Sequence, residues 1–224
     1  MAKDRTMSFA VGSAVRIAKL WPEGRLLTGV RLEAPPELCA LHERVGQYLM
    51  LHPPAAPPFP VALASVPGSP ELELLLGVEA QQKLGLVAGG ALEVGAPMGP
   101  GFPLERARGG DVLVFGTGSA LAPLAPLLDT IAQHRADFGR VRAYFGALTD
   151  DAHAYRGRDA GWGQAGIEVL RSGARPWVQE LYLADPPPFT NPFAFAAGLP
   201  VMIRGVESAL SLRGVAPGRL GLNV

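Results

Sequence analysis

The residues whose types and spacing best suggest chemistry are Gly116, Thr117, Gly118 and Ser119. The apolar run before them, Val-Leu-Val-Phe at 112–115, is typical of a strand that is buried on both faces. Glycines let a backbone turn sharply and approach a ligand closely, and the N-terminus of a following helix offers free N–H groups and the positive end of a dipole. The segment therefore predicts a binding site for a phosphate or pyrophosphate group.

The helix after this turn is predicted over residues 121–135, with Ala122 and Pro123 near its first turn. Proline is tolerated there because its missing N–H would have no partner within the helix. The turn lacks the full G-x-G-x-x-G spacing of a dinucleotide-binding loop. A strand-to-helix turn that needs glycine only for its geometry is therefore an equal alternative on the motif alone.

The elements that would position this turn alternate between strands and helices. Further strands are predicted at 141–145, 167–170, 199–203 and 220–224, with helices at 177–184 and 207–213. Such alternation indicates a parallel sheet with helices on its faces, and ligands of open parallel sheets bind at the carboxyl ends of the strands. Residues 109–224 are thus predicted to form a Rossmann-like α/β domain.

The first half of the chain has a different pattern, in which short strands are separated by turn residues. Strands are predicted near 15–19, 27–32, 48–51, 71–76 and 92–94. This pattern favours an antiparallel barrel or sandwich, of which we take the barrel as the first interpretation. The predicted fold class is a β-barrel plus α/β, with the barrel domain at 1–108.

Composition and charge exclude several classes of protein. Lys+Arg and Asp+Glu number 20 each, so the zero formal net charge gives no reason to expect binding to nucleic acid or to a membrane. Cys39 is the only cysteine, which excludes an intramolecular disulfide and an iron–sulfur cluster held by this chain alone. The four histidines lack the spacing of a metal site, so no metal is expected. The N-terminus has no apolar run typical of a secretory signal, and the predicted location is the cytoplasm.

Over nearly its whole length the sequence resembles the ferredoxin–NADP reductase family. Its turn at 116–119, followed by Ala-Leu-Ala-Pro, is similar to the family's glycine–threonine–glycine turn with Ala-Pro behind it. Other similar motifs are Gly-Gln-Tyr at 46–48, Leu-Ala-Ser-Val-Pro at 63–67, the glycine-rich stretch at 95–102, Phe-Gly-Ala-Leu at 145–148 and Trp-Val-Gln-Glu at 177–180. Each motif is short, and their common order along the chain carries the resemblance.

The resemblance implies an oxidoreductase that binds FAD between its domains and NAD or NADP on the second domain. Electrons would pass from the nicotinamide nucleotide through the flavin to a carrier, such as a redox partner protein. No catalytic residue is identified. The residues implied in cofactor binding are Gly116, Thr117, Gly118, Ser119, Ala122, Pro123 and Gly205 on the nucleotide side, and Ala62, Leu63 and Ser65 on the flavin side.

Two departures from the family pattern leave a second interpretation open. The positions of the family's Arg-x-Tyr-Ser motif are occupied by Phe-Pro-Val-Ala at 59–62, so the usual charged contact with the flavin pyrophosphate is missing. The family's Cys-Gly-Pro motif corresponds to Arg-Gly-Val at 204–206. The chain is therefore either an oxidoreductase with different contacts or a non-catalytic member of the fold that acts as a binding or assembly module.

The proline-rich run at 53–60 precedes the expected flavin-binding stretch. Five of its eight residues are proline, so it can donate few backbone hydrogen bonds. The run is interpreted as an extended surface connection, or as a stiff loop that covers or replaces the flavin site.

Overall fold

The computed structural model describes residues 12–223. The N-terminal residues assessed for a secretory signal, and the last residue of the strand predicted at 220–224, lie outside this range. The described chain contains one antiparallel sheet followed by one parallel sheet. This arrangement confirms the predicted fold class.

Six strands close into the barrel. They are β1 (Ser13–Pro22), β2 (Leu27–Glu33), β3 (Tyr48–Leu51), β4 (Phe59–Ala62), β5 (Leu72–Gly77) and β6 (Ala91–Val94). Hydrogen bonds join them in the order β4-β3-β6-β1-β2-β5. An antiparallel bridge between Leu63 and Leu74 connects the two ends of this order, and the Ala64 N–H donates to the Glu73 carbonyl over 2.7 Å. These contacts leave the sheet without a fully open edge.

Two short helices, α1 (Pro36–Cys39) and α2 (Val78–Leu84), connect the barrel strands. Strand β4 was not predicted, because it begins inside the proline-rich run. It lies at one end of the hydrogen-bonded order, where a proline such as Pro60 is tolerated. Residues 54–56 of the run form a turn and a bend, and its last two residues, Phe59 and Pro60, begin β4.

The second sheet contains five parallel strands. They are β7 (Val112–Thr117), β8 (Val141–Gly146), β9 (Ile167–Ser172), β10 (Phe193–Ala197) and β11 (Leu220–Leu222), in the order β11-β10-β7-β8-β9. The helices of this half are α3 (Leu124–Gln133), α4 (Asp159–Gln164), α5 (Val178–Ala184) and α6 (Pro200–Leu212). None of the helices in the described part of the chain has the length and apolar character needed to cross a membrane.

The strand predicted at 199–203 is wrong. Those residues begin helix α6, and the fourth strand of the sheet is Phe193–Ala197. Pro200 occupies the start of α6, where proline favours a helix, and the buried residues Met202, Val206 and Leu210 recur at helical spacing. The helix predicted at 207–213 is the second half of α6.

The helix predicted from residue 121 also starts differently. The chain first forms a 3₁₀ turn over Gly118–Leu121, and helix α3 follows at Leu124.

The barrel and the parallel sheet share one apolar core. Leu27 and Leu75 of the barrel belong to the same buried cluster as Val114 of β7 and Leu121 of the following turn. Because burial of apolar surface is the main stabilising term in folding, this cluster holds the two sheets against each other.

A polar network also joins the two sheets at one side of this core. Asp129 on α3 accepts hydrogen bonds from the indole N–H of buried Trp162, over 2.7 Å, and from the guanidinium of Arg158. Arg158 in turn lies 3.7 Å from a carboxylate oxygen of Glu73 on barrel strand β5. The network therefore connects the barrel to two helices of the parallel sheet.

Replacement of Asp129 should destabilise the chain. In Asp129→Ala the indole N–H and the guanidinium lose their shared acceptor, and we expect the free energy of unfolding to fall by about 1–3 kcal/mol. Urea denaturation measures this change. The control is Glu207→Ala, an exposed helix position with no side-chain partner among residues 12–223, which should shift stability by less than about 0.5 kcal/mol. An equal effect of the two substitutions would contradict a stabilising role for the network.

Candidate functional site

The turn after β7 is shaped by two glycines with different roles. A Cβ atom on Gly116 would lie 2.3 Å from Cδ1 of Leu124, so the absence of a side chain lets α3 pack directly on the strand. Gly118 has a φ of 57°, and no atom lies within 4 Å of where its Cβ would be. Packing thus requires glycine at 116, whereas the left-handed backbone favours it at 118.

A cavity of about 510 Å³ opens beside this turn, at the carboxyl ends of β7, β8 and β9 and against the N-termini of α5 and α6. This size is within the range of pockets that bind small molecules and cofactors. We call it the sheet cavity. Its lining residues are Thr117, Gly118, Ser119, Gly146, Ala147, Leu148, Ser172, Gly173, Ala174, Trp177, Val178, Gln179, Leu199, Val201 and Met202.

Two polar atoms in the sheet cavity lack partners. The Ser172 hydroxyl at the end of β9 and the Gln179 side-chain carbonyl oxygen on α5 are buried, and neither forms a hydrogen bond. Because buried polar groups are usually paired in native structures, these two atoms are candidate acceptors for a ligand or a water molecule at this cavity.

The rim of the sheet cavity is apolar. Leu148 is 71% exposed, Leu199 is 69% exposed and Trp177 is 47% exposed. Exposed large apolar residues grouped around a cavity are typical of a binding site, and the indole of Trp177 offers a flat surface to a ring or a base.

A second cavity of about 340 Å³ lies between the barrel and the parallel sheet, and we call it the barrel cavity. No charged side chain is found among its lining residues in the described chain. They are Phe59, Pro60, Val61, Ala62, Leu75, Leu76, Gly77 and Ala80 from the barrel half, and Ser119, Ala120, Ala122, Pro123, Ala197, Gly198 and Asn223 from the other half.

The structure brings together most of the sequence-predicted site residues. Thr117 and Gly118 line the sheet cavity, whereas Ala62, Ala122 and Pro123 line the barrel cavity. Ser119 lines both, so the predicted phosphate turn separates the two cavities. Gly116 lies directly beneath the turn.

Besides Gly116, three predicted site residues are absent from both cavity linings. Leu63 is fully buried in the barrel core. The Ser65 hydroxyl accepts a hydrogen bond of 3.2 Å from the Glu73 N–H. Gly205 lies on α6, where a Cβ would approach the Gln179 amide nitrogen to 2.8 Å, so it allows α5 and α6 to pack closely behind the sheet cavity.

Sequence reasoning did not assign Ser172 or Gln179 to the site. A usable signal existed for Gln179, because it falls in the Trp-Val-Gln-Glu segment that carries part of the family resemblance. Ser172 ends a strand that was predicted to stop at residue 170. The carboxyl end of a parallel strand is where ligands are expected, so the correct strand end would have indicated it.

Burial shifts the pKa values of two side chains, Cys39 and His153. Burial raises the pKa of the Cys39 thiol, which keeps it protonated near neutral pH. Burial, together with the charges of Arg171 and Arg156, lowers the pKa of His153, so that imidazole is neutral. No group of three metal-binding side chains occurs among residues 12–223.

Comparison with known proteins shows similarity in structure. No family model and no curated protein matches the sequence. The flavohemoglobin-like FAD/NAD-binding domain of a nitric oxide dioxygenase from Vibrio cholerae is 18% identical, with a TM-score of 0.77 over 95% of this chain and 98% of that one. A cytochrome P450 reductase from Amycolatopsis is 23% identical, with a TM-score of 0.80 over 95% of this chain and 69% of that one.

A third similar structure is a mutant ferredoxin–NADP⁺ reductase from Plasmodium falciparum. It is 12% identical, with a TM-score of 0.78 over 96% of this chain and 97% of that one. At these low identities the comparisons establish the fold. The chain therefore has the ferredoxin–NADP reductase-like fold, and the resemblance found in the sequence motifs is confirmed at this level.

The packing role of Gly116 is testable by stability measurements. Gly116→Ala should lower the free energy of unfolding by about 1–3 kcal/mol, because the added methyl group collides with Leu124. The control is Gly163→Ala on α4, where no atom lies within 4 Å of the added Cβ. That change should raise stability by up to about 1 kcal/mol through helix propensity. Stabilisation by both substitutions would show that the turn has room for a side chain.

Proposed function

We propose that this chain is a reductase that transfers a hydride from a nicotinamide nucleotide, bound in the sheet cavity, to a flavin whose ring lies in the barrel cavity. The observation that carries this proposal is the position of Ser119, which lines both cavities. Hydride transfer requires the reacting atoms of donor and acceptor to lie about 3–3.5 Å apart, so the two rings would have to meet beside this shared turn, and such positioning is the main contribution of a protein to cofactor chemistry.

The similar structures support both ligands. The Vibrio cholerae domain is described as binding FAD and NAD. Phthalate dioxygenase reductase, with a TM-score of 0.74 and 12% identity, is described as transferring electrons from pyridine nucleotides to a [2Fe-2S] centre. By analogy, we propose a redox partner protein as the final electron acceptor of this chain.

The sheet cavity fits a nicotinamide nucleotide. The left-handed residue Gly118 turns the backbone at the helix side of β7, and the 3₁₀ turn that begins there offers N–H groups to a phosphate. The unpaired oxygens of Ser172 and Gln179 would receive hydrogen bonds from ribose hydroxyls or from an amide. Trp177 and Leu148 on the rim would cover a base and keep water out.

The barrel cavity fits the ring of a flavin. Its volume suits a flat ring, and its lining combines apolar side chains with polar atoms that could contact the polar edge of that ring. A bound flavin would supply the ability to accept two electrons as a hydride and to release them singly. Asn223 and Ser119 are the lining side chains able to form hydrogen bonds to the polar edge of the ring.

The domain division at residue 108 is part of this proposal. The last barrel strand ends at Val94 and the first strand of the parallel sheet begins at Val112. The barrel would then supply the flavin site, and residues 109–224 would supply the nucleotide site.

The cytoplasmic location stays a prediction from the sequence.

Ser172→Ala should weaken nucleotide binding without loss of stability. Its hydroxyl has no partner in the protein, so removal leaves folding unchanged but costs the ligand a hydrogen bond, and the Kd for NADH or NADPH should rise by about 3- to 12-fold. The matched control is Ser65→Ala, whose hydroxyl is bonded to the Glu73 N–H. That change should lower stability by about 1 kcal/mol and leave the Kd unchanged.

Calorimetric titration and urea denaturation of both variants provide the measurements. A wild-type chain that binds neither nucleotide would contradict the proposal and would favour the non-catalytic module. An unchanged Kd in Ser172→Ala, with binding retained, would place the nucleotide outside the sheet cavity.

A further inference from the structure

One carboxylate lies at the edge of the sheet cavity without a partner. Asp150 follows β8, and one of its carboxylate oxygens lies 3.6 Å from where a Cβ of Gly173 would be. Gly173 lines the cavity directly after the end of β9. The Asp150 side chain is exposed, and it forms no hydrogen bond or ion pair within residues 12–223.

The loop that carries Asp150 is fixed to the barrel by its other residues. The Asp151 carbonyl accepts a hydrogen bond of 2.8 Å from the Arg25 N–H, and its carboxylate lies 3.8 Å from the Arg25 guanidinium. Further along the loop, the Tyr155 N–H donates to the Glu23 carboxylate over 2.6 Å. These contacts occupy Asp151 and leave Asp150 as the carboxylate beside the cavity.

A buried hydroxyl at the same strand end also lacks a partner. Ser172, the residue before Gly173, is 5% exposed and lines the sheet cavity. Its hydroxyl forms no hydrogen bond within the described chain. A carboxylate and a hydroxyl at one strand end can accept hydrogen bonds from the two hydroxyl groups of a ribose. The end of β9 is therefore a candidate ribose subsite.

The arginines nearest in sequence to this strand end already have partners. The Arg175 guanidinium lies 2.9 Å from the Glu180 carboxylate and 4.0 Å from the ring centroid of Trp177. Arg171 donates two hydrogen bonds, of 2.8 and 2.6 Å, to the Asp159 carboxylate. Every side chain that lines the cavity is uncharged. A phosphate at this strand end would therefore face the unpaired carboxylate without a free cation from β9 or the loop that follows it.

Arg156 is a further cation on the loop after β8. It is exposed and is not among the residues that line the sheet cavity. Burial is the main cause that lowers the pKa of His153, Arg171 and Arg156 add to it, and Asp150 opposes them. Arg156 thus lies within electrostatic range of this loop, so a test of Asp150 needs a variant of Arg156 as well.

We propose that Asp150 makes the sheet cavity selective for NADH over NADPH, by accepting a hydrogen bond from the ribose 2′-hydroxyl and repelling a 2′-phosphate. This inference rests on the proposed function. An ionised carboxylate only accepts hydrogen bonds, so it can pair with a hydroxyl but not with a phosphate. In dinucleotide-binding folds an acidic residue has this role towards NAD, whereas an arginine accommodates the 2′-phosphate of NADP.

Calorimetric titration with NAD⁺ and NADP⁺ measures this selectivity. The oxidised nucleotides cannot donate a hydride, so affinity alone is compared. A hydrogen bond in place of a repulsion should make the Kd for NAD⁺ lower than that for NADP⁺ by about tenfold or more. The ratio of the two Kd values should fall as salt is added, because salt screens the repulsion between exposed charges.

Two substitutions of Asp150 should change this ratio in steps. Asp150→Asn removes the charge and should bring the two Kd values within about threefold of each other. Asp150→Arg supplies a guanidinium for the 2′-phosphate and should make NADP⁺ the tighter ligand by about tenfold. Because the side chain is exposed, both variants should keep the wild-type free energy of unfolding in urea.

Two controls test whether the effect belongs to Asp150. Asp151→Asn makes the same change of charge one residue further on, at a carboxylate that faces Arg25, and should alter the ratio by less than about twofold. Arg156→Gln should also leave NAD⁺ the tighter ligand. A control that changes the ratio as much as Asp150→Asn does would overturn the assignment to Asp150.

The results separate this inference from the proposed function. Wild-type protein that binds NADP⁺ as tightly as NAD⁺, or a ratio that is unchanged in Asp150→Asn, would overturn the role of Asp150 and leave the reductase intact. A chain that binds neither nucleotide would overturn both.

Discussion

The close packing of helix α3 on strand β7 is the constraint on which the site depends. Gly116 leaves 2.3 Å between the position of its missing Cβ and Leu124, so the chain turns from the strand towards the helix with no side chain between them. The turn that results, Thr117–Ser119, is thin enough to form a wall of both cavities. A bulkier turn would move the two cavities further apart, whereas hydride transfer requires reacting atoms about 3–3.5 Å from each other.

The remainder of the structure holds this turn at a fixed distance from the barrel. The apolar cluster that includes Leu75, Val114 and Leu121 is continuous across the two sheets. Arg158 adds a polar connection, because it contacts Glu73 on the barrel and Asp129 on α3. A close-packed protein interior has low compressibility, so a shift of one packed element moves its neighbours. The distance between the barrel and the turn, and with it the width of the barrel cavity, therefore depends on these contacts.

The two cavities differ in the kind of ligand contact they provide. The sheet cavity combines residues with unpaired buried oxygens, a glycine turn and the exposed indole of Trp177, so it offers both polar and apolar contacts. The barrel cavity is lined by uncharged side chains and exposes polar as well as apolar atoms. The two cavities therefore offer different sets of contacts to a ligand.

Local pattern predicted the elements whose residues alternate or form one buried run, such as β3 at Tyr48–Leu51 and β7 at Val112–Thr117. It failed at α6, where the apolar residues after Pro200 fit a strand as well as the first turn of a helix, and at β4, where proline concealed a strand. The glycine turn was predicted because its chemistry is local. Ser172 and Gln179 were missed because their lack of hydrogen-bond partners is a property of the folded chain, which no sequence pattern displays.

The most direct test of transfer across the turn is anaerobic rapid mixing of the flavin-loaded chain with NADH or NADPH that carries hydrogen or deuterium at the reactive C4 position. Direct hydride transfer predicts loss of the visible flavin absorbance, at a rate that is slower for the deuterated nucleotide. Unchanged flavin absorbance in the presence of bound nucleotide would contradict the transfer of a hydride between the two cavities.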